Sequence, residues 1–128
     1  MSPETNNNHK LRVGIIGTGP VGSTLAVHLK EAGAMVIPCD MFPEKIDAIK
    51  KKGIRLTHTI EKHVTIDHAC YTVQELGMHD PELIIIAVKT PDNPKVINQI
   101  REIDNGRLHV MCAQNGIDNE VEVGQCFG

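Results

Sequence analysis

The chain has 128 residues, a formal net charge of −3, 41% hydrophobic and 23% charged residues. That length fits one domain, the composition is that of a globular chain, and the mild acidity argues against a nucleic-acid or membrane surface. No apolar run reaches the roughly 18 residues a membrane helix needs. Phe42, Tyr71 and Phe127 are the only aromatics, so the core must be aliphatic.

Met1–Lys10 is polar, carries three consecutive Asn and has no apolar signal core. It reads as a flexible lead-in to a cytoplasmic protein, with residues 11–128 forming the domain. Leu11–Ile16 is a short apolar run that ends in glycines, which suits a buried strand. From Val21 the apolar residues Val21, Leu25, Leu29 and Ala32 fall on one helical face, and Gly33 ends the helix. Met35–Cys39 is a second strand, weakened by Pro38. Pro43 opens a second helix with Ile46 and Ile49 inward and Lys50–Lys52 outward, and Gly53 stops it.

Ile54–Thr57 and Val64–Asp67 alternate over a few residues, as a strand and an edge hairpin would. Val73–Leu76 is one helical turn. Leu83–Val88 is an unbroken apolar run, as expected of a strand buried on both faces of a parallel sheet. Val96, Ile97, Ile100 and Ile103 give another helix face. Leu108–Ala113 is a further strand, and Asp118 can cap a last helix. The alternation predicts an α/β domain with a doubly wound, mostly parallel, Rossmann-type sheet of order 3-2-1-4-5.

The chemistry concentrates at strand ends. Gly17–Thr18–Gly19–Pro20–Val21–Gly22 is a G-x-G-x-x-G between a predicted strand and a predicted helix, the context in which that pattern holds a dinucleotide. Gly17 permits the tight turn, Gly19 lets a pyrophosphate approach the backbone, and Gly22 lets the helix lie close to the strands. The helix N-terminus supplies N–H groups and a positive dipole end. Asp40 closes the second strand, where an acidic residue either bonds the ribose hydroxyls of NAD or caps the following loop. A carboxylate there repels the extra phosphate of NADP. Lys89, after the fourth strand, offers a cation with three donors at the cleft. Asn115, after the fifth, offers an amide that both donates and accepts.

His58, His63 and His68 recur every five residues, share no helical face and read as surface residues, with no metal site implied. Cys39, Cys70, Cys112 and Cys126 show no C-x-x-C spacing and read as reduced, buried small hydrophobes.

GTGPVG after strand one, AVKT after strand four and QNGIDNE after strand five occur together. In this combination the chain resembles the N-terminal cofactor-binding domain of the ketopantoate reductase (2-dehydropantoate 2-reductase) family over about residues 11–127. The resemblance implies an oxidoreductase that reduces 2-dehydropantoate, or a related 2-keto acid, with NADPH on the route to pantothenate. It matches Lys89 and Asn115 to the family's active-site lysine and asparagine. It also implies basic residues after strand two, where this chain has Asp40 with Lys45 as the nearest cation, so that both NADP and NAD are open. The family carries a second, helical catalytic domain that these 128 residues do not include, so the chain reads as a truncated piece, inactive alone. The alternative is a non-catalytic dinucleotide-binding regulatory module. The partners expected are a dinucleotide and a small 2-keto acid, with a homodimer left open.

Overall fold

A computed structural model describes residues 10–57, 61–88, 93–104 and 106–113. Strand β1 (Arg12–Ile16) is buried from Val13 onward because its alternate residues face opposite layers of core. Helix α1 (Pro20–Glu31) leads to β2 (Met35–Cys39), and helix α2 (Pro43–Lys52) leads to β3 (Ile54–Leu56) and β4 (Lys62–Val64). Helix α3 (Val73–Met78), β5 (Leu83–Ile86), helix α4 (Asn93–Ile103) and β6 (His109–Cys112) follow. Strands β2-β1-β5-β6 form one sheet, and every pair in it is parallel. Val13 sits opposite Val36 on one side and Leu83 on the other.

Two apolar layers cover the sheet. Val13, Ile15, Val36 and Ile85 face Ala26 and Val27 of α1 and Ile46 and Ile49 of α2. Ile16, Ile37, Ile84 and Ile86 face Leu76 of α3 and Val96, Ile97 and Ile100 of α4. Gly14, which interrupts the apolar run of β1, is where α3 docks: a Cβ there would lie 2.8 Å from the Leu76 methyl groups. The α/β class, the parallel sheet and the four main helices therefore follow the sequence pattern.

Three expectations need correction. Val21 is 44% exposed, and α1 buries Gly22, Ala26 and Val27 instead. The helix turns its smallest residues to the sheet, because backbone-to-backbone approach at Gly22 fixes its phase; Leu25 and Leu29 pack at the margin. Second, Ile54–Leu56 and Lys62–Val64 pair with each other, antiparallel, in a separate two-stranded sheet.

Third, the order 3-2-1-4-5 holds only from the second strand onward, because its third place is occupied by a single bridge between Cys39 and Cys70. There the Cys70 N–H donates to the Pro38 carbonyl at 2.8 Å and the Asp40 N–H donates to the Cys70 carbonyl at 3.3 Å. Residues 38 and 40 share that outer edge, so the N–H that Pro38 lacks is one that a longer third strand would need. The proline explains why pairing does not extend to the residues before Cys70. The predicted helix at Asp118 lies outside the described residues.

Candidate functional site

The carboxyl ends of β1, β2 and β5 meet at one cleft of about 590 Å³. This is where strand order reverses, because β1 leads by α1 to β2 on one side while β5 lies on its other side, and ligands of open α/β sheets bind at such points. The turn after β1 is fixed from both flanks: the Gly17 N–H donates to the Cys39 carbonyl at 2.8 Å, and the Ala87 N–H donates to the Ile16 carbonyl at 2.8 Å.

Each glycine of the turn has its own physical requirement. Gly17 has φ +107°, and a Cβ on it would meet the Ala87 backbone at 2.8 Å. A Cβ on Gly22 would lie 1.9 Å from the Gly17 carbonyl oxygen, so helix and turn touch backbone to backbone. Around Gly19 a Cβ would meet nothing within 4 Å, and Gly19 lines the cleft. Open space in front of one turn residue, between two that are packed shut, is a cradle for a group that approaches the backbone.

Gly19 is also the N-cap of α1, with no side-chain cap, Pro20 in the first turn and no acidic residue there. First-turn N–H groups have no partner inside a helix, and with the positive dipole end they favour an anion. Val21 and Gly22 carry such groups. Pro20 has no N–H and presets the helical φ.

Thr18, between the first two glycines, is held on three sides. Its N–H and hydroxyl donate to Asp40 Oδ2 at 2.9 and 2.7 Å, and its carbonyl accepts from the Ser23 hydroxyl at 2.9 Å. Asp40 Oδ1 accepts from the Phe42 N–H at 3.0 Å. Burial alone would raise the Asp40 pKa. The bonds from Phe42 and Thr18, with the nearby Lys45 charge, outweigh it and hold the carboxyl below the ordinary aspartate value.

The rim includes residues that no sequence pattern singled out: Met41, Phe42, the stretch from Tyr71 to Gln74, and Lys95 and Gln99 of α4. Met41 and Phe42 are 56% and 48% exposed, and Lys45 lies 5.1 Å above the Phe42 ring. The exposed Phe42 in so aromatic-poor a chain was the available signal. The structure thus brings together Gly17, Gly19, Gly22, Thr18 and Asp40. Lys89 and Asn115 lie outside the described residues, as do His58 and Cys126.

His63 and His68 are exposed, and His63 accompanies the Lys52 carbonyl. Cys39 and Cys70 are buried thiols, and Cys112 is half-buried; none of the three is in a disulfide. Among the described residues no helix is long and apolar enough to cross a membrane.

Comparison with known proteins bears on this cleft. The 2-dehydropantoate 2-reductase of Lactococcus lactis is 29% identical over 111 residues, 86% of this chain and 35% of that protein. The chain thus spans about a third of the length of the curated relatives it matches. The crystal structure of a PanE/ApbA family ketopantoate reductase from Ralstonia eutropha superposes with a TM-score of 0.79 at 25% identity, covering 90% of this chain and 38% of that one. A D-mandelate dehydrogenase solved with NADH and anilino(oxo)acetate shares the fold, with a TM-score of 0.75 at 24% identity over 90% of this chain and 37% of its own. Residues 13–128 match the model of ketopantoate reductase PanE/ApbA, and the chain belongs to that family.

Proposed function

We propose that the cleft holds a nicotinamide adenine dinucleotide, and that the chain is the cofactor-binding portion of an oxidoreductase that reduces 2-dehydropantoate or a related 2-keto acid. The observation that carries the reading is the glycine turn: a Gly19 open to the cleft, backed by a Gly22 packed against Gly17. The turn and the first-turn N–H groups of α1 would take the pyrophosphate, and the rim at Phe42 and Lys45 lies beyond Asp40 on the side of β2. When bound, the dinucleotide supplies the hydride, and the protein's part is to orient it and to exclude water.

For the substrate side, family resemblance makes Lys89 and Asn115 the residues to test. Lys89 directly follows Val88, which lines the cleft, and Asn115 closely follows β6. In the family-based reading the lysine cation and the asparagine amide hold the keto acid's oxygens beside the nicotinamide. The rim carries both signs, Asp40 and Lys45, so NADH and NADPH are both to be titrated.

A polypeptide of these 128 residues alone is expected to bind without turnover. A positioned general acid typically contributes about 10²–10⁴-fold, and in the family-based reading that group belongs to the part of the relatives' length this chain does not span. Calorimetric titration with NADH and NADPH, followed by an assay of cofactor oxidation with 2-dehydropantoate, tests this. Absence of binding by either dinucleotide rejects the reading. Substrate-dependent oxidation by the 128 residues, abolished by Lys89→Ala, rejects the claim that the rest of the family's length is needed for turnover.

A further inference from the structure

Asp40 lines the cleft yet is only 6% exposed. Its carboxylate has about four acceptor sites, and the chain fills three of them. Oδ2 already takes the N–H and the hydroxyl of Thr18, and Oδ1 takes the Phe42 N–H. A ribose diol gripped by both oxygens would need a third site on Oδ2, whose two are taken, so it would have to displace a Thr18 bond.

What Asp40 grips instead is the residue between the two glycines of the turn. Gly17 and Gly19 restrict the backbone on either side of Thr18 less than residues with a side chain would. Thr18 removes it: Asp40 holds its N–H and hydroxyl, and Ser23 holds its carbonyl. Bonds to an ionised acceptor are roughly twice as strong as neutral ones. The same carboxylate ties down Phe42, the N-cap residue of α2, so turn and rim are set by one side chain.

We propose that Asp40 is a positioning residue, a latch that holds the glycine turn in its phosphate-receiving form through Thr18, and that it supports NADH and NADPH alike without reading the ribose. This rests on the dinucleotide reading of the cleft. It separates two roles that the sequence leaves open, and it assigns the choice between cofactors to other residues of the rim.

The test is paired dissociation constants for NADH and NADPH on the 128-residue chain and its variants. Asp40→Asn and Thr18→Val are each expected to weaken both cofactors by about tenfold, with the NADH-to-NADPH ratio held within about threefold. Thr18→Ser, which keeps the hydroxyl, is expected to restore binding. The Thr18→Val/Asp40→Asn double variant is expected to bind about as well as the weaker single one, because both remove the same contact. Amide exchange of Thr18 in the ligand-free chain should speed up in Asp40→Asn.

A ratio that moves tenfold or more in Asp40→Asn overturns the latch in favour of a ribose reader, and so does unchanged affinity for both cofactors. If Asp40→Asn does not fold, the Thr18→Val and Thr18→Ser pair decides by the same readout. A wild-type chain that binds neither dinucleotide rejects the dinucleotide reading itself, which is a separate outcome.

Discussion

From Arg12 to Cys39 the chain runs strand, helix, strand in parallel register. From Gly53 to Met78 it makes an antiparallel hairpin, one bridge and a short helix. Both stretches hang on β2, at opposite edges of it. On the inner edge each strand residue finds a partner, from Arg12 opposite Met35 to Ile16 opposite Cys39. On the outer edge Pro38 lacks a donor, and the chain satisfies its apolar demand another way. Ile54 packs into the layer under α1 and α2, and Lys62 and Asp67 reach Glu31 and Lys30 at the end of α1, at 2.7 and 3.4 Å. The first region is held by backbone pairing and the second by side-chain packing, so the two should fail differently.

The largest effect is expected at Gly22. Valine there drives its Cβ into the Gly17 carbonyl, 1.9 Å away, and neither helix nor turn can yield without loss of the parallel pairing. Gly22→Val should cost about 3 kcal/mol or more and abolish dinucleotide binding, as measured by urea denaturation and titration. Gly53 offers the counterpart in the second region, with φ +78° and a would-be Cβ 2.1 Å from the Val64 carbonyl oxygen. Gly53→Ala should cost about 2 kcal/mol, confined to the hairpin. Amide exchange should quicken over residues 54–64 while β1 amides stay protected and dinucleotide affinity holds. Loss of protection in β1 would show that the two regions are one cooperative unit.

Gly19→Val separates function from stability within the first region. Its φ of −75° suits any residue, and nothing lies within 4 Å of the added Cβ, so stability should stay within about 0.5 kcal/mol. The side chain then occupies the space the cleft leaves for a phosphate. Calorimetry should register no binding, and an unchanged affinity would remove the phosphate from this turn.

The same contrast marks what could be read in advance. β1, the glycine turn, α2, β5 and α4 were legible because their signals are local: apolar runs, prolines at helix starts, glycines at ends. In α1 the close approach at Gly22 is legible from the glycine spacing, but the apolar residues point to a face through Val21, whereas the approach at Gly22 turns Ala26 and Val27 to the sheet and leaves Val21 exposed. The third strand was misjudged because Pro38 acts on the strand beside it. A further local signal lies at the start of α3: Thr72-Val-Gln-Glu75 is a capping box, in which the Thr72 side chain accepts from the Glu75 N–H at 3.1 Å. Of the site, the glycines and Asp40 were visible by spacing, but the bonds from Thr18 to Asp40 join residues far apart in sequence. Tyr71, Lys95 and Gln99 reach the rim only through the fold, and Lys89 and Asn115 lie outside the described residues.

Asp40 gives the comparison a pH dependence. Its carboxyl titrates lower folded than unfolded, so the unfolded chain binds the proton first as pH falls. The stabilisation is complete above the ordinary aspartate value of about 3.9 and is lost as pH drops through the lower folded value. Asp40→Asn should therefore flatten the acid end of the stability curve. A wild-type acid slope surviving in the variant would place the responsible carboxyl elsewhere.

The smallest effect concerns the two thiols at the bridge, where the regions meet. Burial pushes Cys39 up to about 12, with Cys70, Asp40 and Glu75 adding to it; burial and Glu75 push Cys70 up to about 11, against the pull of Lys50. The thiolate is the reactive form, so at pH 8 Cys70 should react with iodoacetamide on the order of 10²-fold, and Cys39 on the order of 10³-fold, more slowly than an ordinary exposed thiol. What reaction remains must pass through local opening. Cys39 belongs to the paired strand and Cys70 to the packed segment, so their opening should differ. Gly53→Ala is expected to accelerate labelling at Cys70, whose neighbours Ile66 and Ala69 pack with the hairpin's Ile54, and to leave Cys39 slow. Equal acceleration of both, read by peptide mass after timed labelling, would mean that the bridge opens as a unit and that β2 frays along with its outer edge.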